Sequence, residues 1–227
     1  MRHFPGAFIF ILLVSFPAAA QSPGGLEVQT LSAMENYRRG RELEDQNRMN
    51  EAAAHYNEAV RQCLEEVSAN TATRATYAVL TWTLQRQRKY QEVISWGERG
   101  LRLFPDEYRI VETMGEAFFY LDDYTRSLDY MQRYTNAWPN GDRVSVAYFF
   151  AGEIYRLTQK YLHADIAYTT ALRLEPNLAL WWYRLGSVRE EIGDKNHAID
   201  AYQQALRINP NHTEARNRLA RLQENQE

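Results

Sequence analysis

The chain has 227 residues, 45% hydrophobic and 24% charged, with 11 Gly and 7 Pro, a globular composition that excludes the disordered and fibrous classes. Its formal net charge of −3 offers no basic face, so nucleic acid is not expected as a partner. The single cysteine, Cys63, cannot close an internal disulfide, and its neighbours Val60 and Leu64 point to a buried, inert thiol.

The first element is a leader. Arg2 and His3 precede the apolar run Phe8–Phe16, and small residues follow at Ala18 and Ala20. This is the layout of a secretory signal peptide cut after Ala20, with an apolar run too short to span a bilayer comfortably. The expectation is a periplasmic or secreted product with no membrane span after cleavage. Residues 21–32 read as a flexible lead-in.

Pairs of helices follow. Three phrases nearly repeat: Leu101–Asp106 (LRLFPD), Leu172–Asn177 (LRLEPN) and Leu206–Asn211 (LRINPN). Pro176 and Pro210 stand 34 residues apart, as do Pro105 and Pro139, and a fixed period of this length marks a repeat architecture. The first unit, about 33–73, carries Gly40, Ala52, Tyr56 and Ala59. It has no proline to stop its second helix, which is expected to run on through Cys63 and Val67. In the second unit, 74–107, Thr81 stands in the glycine slot, and Gly97 and Gly100 fill the aromatic and small slots of the second helix. The third, 108–144, keeps Gly115 and Pro139, has Ser127 and Tyr134 for the alanines, and ends with three extra residues, Asp142–Val144.

The last two units, 145–178 and 179–212, superpose closely. Gly152 aligns with Gly186, Ala164 with Ala198, Tyr168 with Tyr202, Ala171 with Ala205 and Tyr148 with Trp182. Trp182, Leu185, Gly186 and Arg189 keep the spacing of one helix face. Small residues let two helices approach, and Trp182 and Tyr202 are expected to fill the space beside them. Each pair would leave an apolar face wet, which stacking the next pair covers. Thr213–Leu222 reads as a polar-backed capping helix, with a tail to 227.

An aromatic, Leu-Gly, Ala, an aromatic, Ala and Pro, in that order, resembles the tetratricopeptide repeat (TPR). The resemblance covers about residues 33–212 as five repeats and is most complete in the last two. It implies an all-α fold, a TPR α-solenoid of about five helix-turn-helix repeats plus a C-terminal capping helix. With the leader, the chain resembles bacterial periplasmic TPR scaffolds, which implies a protein or peptide partner.

Catalytic chemistry leaves no trace in the residues. There is no glycine-rich phosphate loop, G-x-S-x-G, H-E-x-x-H or cysteine pair, so no enzyme, cofactor or metal is expected. His163 and His197 share one slot in adjacent repeats, but elsewhere that slot holds Glu51, Glu92 and Arg126, which reads as solvent.

In TPR proteins the first helices line the concave wall. A second stripe on each first helix then faces the groove: Tyr37–Arg41–Glu44, Ala78–Trp82–Gln85, Glu112–Glu116–Phe119, Phe149–Glu153–Arg156 and Tyr183–Ser187–Glu190, with Arg86 and Tyr120 beside these lines. The candidate groove residues are Tyr37, Arg41, Trp82, Arg86, Phe119, Tyr120, Phe149, Arg156 and Tyr183, because aromatics and arginine commonly carry binding energy. The same aromatics also fit an inter-repeat core, and the pattern leaves both open. Paired Lys and Asn, with which some TPR proteins grip a peptide carboxylate, are not seen. The expected function is a non-catalytic protein-interaction scaffold in the periplasm. The alternative is a ligand-handling accessory subunit of a solute transporter.

Overall fold

The computed structural model of the chain describes residues 31–224; the expected leader, residues 21–30 of the lead-in and residues 225–227 lie outside the described residues. Among the described residues every regular element is an α-helix: α1 (Ala33–Asp45), α2 (Met49–Ser68), α3 (Arg74–Arg86), α4 (Tyr90–Leu103), α5 (Tyr108–Tyr120), α6 (Tyr124–Ala137), α7 (Val144–Leu157), α8 (Tyr161–Leu174), α9 (Ala179–Glu191), α10 (Lys195–Ile208) and α11 (Thr213–Glu224). Each odd-numbered helix packs against the even-numbered helix after it, and each pair stacks on the next. α11 closes the array against α10. Among the described residues no helix is long and apolar enough to cross a membrane.

Local sequence starts and stops these helices. Ser32 caps α1 and Thr73 caps α3, each in a reciprocal capping box, with Glu35 and with Thr76 respectively. α4, α6, α8 and α10 are all 14 residues long and stop two residues before Pro105, Pro139, Pro176 and Pro210. α2 meets no proline and runs for 20 residues, through Cys63 and Val67. The turn inside every pair repeats one device. Asn47, Arg88, Asp122, Gln159 and Gly193 adopt the left-handed conformation. The following N–H reaches back to the helix just ended, Arg48 to Leu43 O at 2.8 Å and Asp194 to Arg189 O at 2.9 Å. Only Gly193 takes that conformation without a Cβ penalty.

Packing follows the small and large residues. A Cβ on Gly40 would come within 2.5 Å of the Tyr56 ring, one on Gly152 within 2.6 Å of Tyr168, and one on Gly186 within 2.7 Å of Tyr202. The glycine of the first helix is thus the seat for the tyrosine of the second. Each tyrosine hydroxyl donates to a carboxylate on the first helix: Tyr56 to Glu44 at 2.7 Å, Tyr202 to Glu190 at 2.7 Å, and Tyr168 to Glu153. In the second pair the seat is inverted, and Gly97 of α4 receives Met114 of the next pair. Cys63 is fully buried, and burial pushes its thiol up to about 12.

Trp182 packs, as expected, against the cluster of Ala198, Tyr202 and Ala205, but its neighbour in the chain is the more deeply enclosed. Trp181, not Trp182, is buried, because its ring stacks at 4.8 Å on Phe149 of the preceding repeat. Trp182 is half-buried, and its indole N–H donates to Pro176 O at 2.7 Å.

The odd-numbered helices also touch one another, α1 to α3, α3 to α5 and α5 to α7, whereas no two even-numbered helices pack to this extent. A stack whose first helices crowd and whose second helices splay curves toward the first. α1, α3, α5 and α7 therefore form the inner wall.

Candidate functional site on the inner helix wall

A cavity of about 550 Å³ opens on this wall. α1 contributes Tyr37 and Arg41, and α3 contributes Trp82, Gln85 and Arg86. α5 supplies Arg109, Glu112, Thr113 and Glu116, α6 supplies Tyr134, and the junction ahead of α7 supplies Trp138 and residues 140–143. Residues one helical turn apart share a face, which is why Glu112 and Glu116 enter side by side.

One side is aromatic. The Tyr37 and Trp82 rings lie 5.6 Å apart, and the Arg109 guanidinium sits 5.6 Å from the centre of the Trp82 ring. Trp138 packs between Tyr134 and Tyr108. The other side is a buried charge cluster. Glu112 is 3% exposed and Glu116 9%. Both carboxylates receive the Arg143 guanidinium, Glu112 at 2.9 Å, and Gln85 Nε2 donates to Glu116 at 3.0 Å. Burial, and then the neighbouring Glu116 charge, push the Glu112 carboxyl well above the usual carboxylate range. The two carboxylates in turn raise Arg143 further, although burial opposes its charge. At the rim, Arg86 pairs with Glu44 at 2.6 Å and Arg109 with Glu107 at 2.6 Å.

The cavity brings together four of the candidate groove residues, Tyr37, Arg41, Trp82 and Arg86. The other five lie outside it. Phe119 meets Phe150 edge-on at 5.0 Å, and Tyr120, 49% exposed, stacks on Tyr90 at 4.8 Å. Phe149 is held between repeats by Trp181 and Tyr168. Arg156 pairs with Glu153 at 2.8 Å. Tyr183 rests against Tyr202 and His212. Arg109, Tyr134, Trp138 and Arg143 were not singled out by the stripe. Arg143 sits inside the three-residue excess Asp142–Val144, the one local signal that could have drawn attention to it. His163 and His197 are exposed; His163 lies by the Tyr155 ring and His197 Nδ1 meets Asp194 at 2.8 Å. Among the described residues no group of three or more His, Cys, Asp or Glu is placed to hold a metal ion.

Two tetratricopeptide repeat models match residues 145–178 and 179–212. The human Protein O-mannosyl-transferase TMTC3 is 25% identical over 181 residues, 76% of this chain. The chain spans only about a fifth of that relative's length. Among solved structures, the APC/C hetero-tetramer Cut9-Hcn1 superposes with a TM-score of 0.67 at 17% identity, over 84% of this chain and 36% of that one. YrrB, described as a TPR protein with an unusual peptide-binding site, superposes with a TM-score of 0.53 at 19% identity, over 82% of this chain and 91% of its own. The fold is a TPR α-solenoid of helix-turn-helix pairs.

Proposed function

We propose that this chain is a non-catalytic scaffold that binds a protein or peptide segment along the inner wall of its array. The observation that carries this reading is the cavity where Tyr37 and Trp82 meet the Glu112, Glu116 and Arg143 cluster. Large aromatic faces beside buried, oriented charges are what anchor a partner's side chains. The groups that converge there hold one another in ion pairs and hydrogen bonds, and none is a nucleophile beside a base. The peptide-binding site described for YrrB supports the same use of the fold.

The test compares proteins that co-purify with the wild-type chain and with Tyr37→Ala/Trp82→Ala. Both rings are half-buried at the cavity wall. Their loss should weaken partner binding about thirty-fold, a hot-spot loss of roughly 2 kcal/mol. The same partners retained at equal affinity would refute the cavity as the binding surface.

The proposal includes export to the periplasm. It rests on the leader pattern of residues 1–20, with Arg2, the run Phe8–Phe16 and Ala18 and Ala20. Intact mass of the protein recovered from the cell envelope should correspond to a chain starting at Gln21. A species that keeps Met1–Ala20 would overturn cleavage.

A further inference from the structure

We infer that the cavity recognises a basic side chain, Arg or Lys, of an extended peptide segment, which docks on Glu112 and Glu116 beside Arg143. The inference rests on the reading of the cavity as a segment-binding site and adds the chemistry of what it reads.

Charge carries the argument. Two nearly buried carboxylates share one guanidinium, so the fully ionised cluster is one positive charge short. The remaining cations do not supply it. Arg86 is neutralised by Glu44, on whose carboxylate the exposed Arg41 also acts, and Arg109 by Glu107, with the exposed Asp142 as a further negative charge near it. A charge deficit in a low-dielectric site is met either by a proton or by an incoming cation.

A second, separate observation favours a ligand rich in N–H groups. Gln85 spends its amide N–H on Glu116, and its amide oxygen is buried without a hydrogen-bond partner. A guanidinium or ammonium entering the cavity offers the donor that this oxygen lacks. The Trp82 and Tyr37 rings beside it supply faces of the kind that attract such cations. An acidic side chain in the same place would face Glu112 and Glu116 directly. Arg143, with its side chain 46% exposed, reaches the carboxylates from the junction and lines the same cavity.

Cation and proton compete for one site. The titratable and charged groups that line the cavity with Glu112 are Arg109 and Glu116 on its own helix, Tyr37 and Arg41 on α1, Arg86 on α3, Tyr134 on α6, and Asp142 and Arg143 on the junction. Because Glu112 holds its proton to an unusually high pH, lowering the pH should weaken binding of a basic segment.

The experiment pans the intact chain against a random-peptide display library, in parallel with Glu112→Gln/Glu116→Gln. The inference expects selected peptides to share Arg or Lys at one position, and the double variant to lose that preference. Peptides selected without a basic residue, or with an acidic one, overturn the inference and leave segment binding intact. No enrichment over an unrelated control overturns both readings. A second measurement uses the unaltered protein. Replacing the selected Arg by its neutral isostere citrulline should weaken a synthetic peptide at least about tenfold, as expected when one partner of a buried charge pair is removed. Equal affinity for both peptides overturns the inference even if the double variant fails to fold.

Discussion

Truncating Tyr168 to alanine is expected to lower the melting temperature by about 10 °C. The ring is fully buried, lies on Gly152, and packs against Phe149 at the boundary with the last repeat. Removing a buried aromatic of this size costs about 3–5 kcal/mol, because the glycine seat opposite has no side chain to collapse into the space. At this chain length each kcal/mol shifts the melting temperature by about 2–4 °C. Tyr168→Phe separates the two roles of the side chain. It keeps the ring and removes only the hydroxyl that donates to Glu153, whose carboxylate also holds Arg156 and Arg184. That loss should cost about 0.5–1.5 kcal/mol, the net worth of one hydrogen bond, because Glu153 keeps Arg156 and Arg184 as partners. Thermal melts followed by circular dichroism rank the two variants. A Tyr168→Ala melt no lower than that of Tyr168→Phe would show that the Gly152 seat does not hold the repeat together.

Arg143→Ala is expected to be comparably severe, and its severity should depend on pH. The substitution leaves Glu112 and Glu116 buried with no cation, a change that costs about 3–5 kcal/mol when one partner of a buried pair is deleted. The sign with pH follows from Glu112. Its folded-state pKa lies well above its ordinary value. A group of that kind contributes stability that is fully present below the unfolded pKa, about 4.3, and is lost as pH rises through the folded one. The melting deficit of Arg143→Ala should therefore be small near pH 4 and grow toward neutral pH. Glu112→Gln/Arg143→Ala should recover much of it at neutral pH, because the amide carries no charge to leave unpaired. Melts of both variants across this range check the cluster. A deficit that grows on acidification would mean that burial of the carboxylates is not what Arg143 offsets.

What could be read directly from the chain is what local chemistry controls. The 34-residue spacing of Pro176 and Pro210 reflects helices that must stop where proline cannot extend the hydrogen-bond ladder. The missing proline after Tyr56 accounts for the 20-residue α2. Gly186, Ala198, Tyr202 and Ala205 announce close helix packing, because a small residue and a large one at fixed spacing have few other uses. Together these residues determine an all-α array of helix pairs with a capping helix.

Contacts between repeats belong to the tertiary structure. Trp181 and Trp182 are adjacent in the chain and both suit a helix face. Only the twist between repeats, which sets Trp181 over Phe149, decides which one is buried. The same holds for the cavity. A stripe drawn along each first helix cannot tell that Tyr37 and Trp82 converge while Phe149 is held away between repeats. Arg143 meets Glu112 from 31 residues away and Glu116 from 27, out of an insertion with no periodic pattern. Its role depends on where the junction aims one flexible side chain, and on a burial that gives two carboxylates a need for it. Periodicity encodes which face of a helix is apolar; the curvature of the stack determines which of those faces meet.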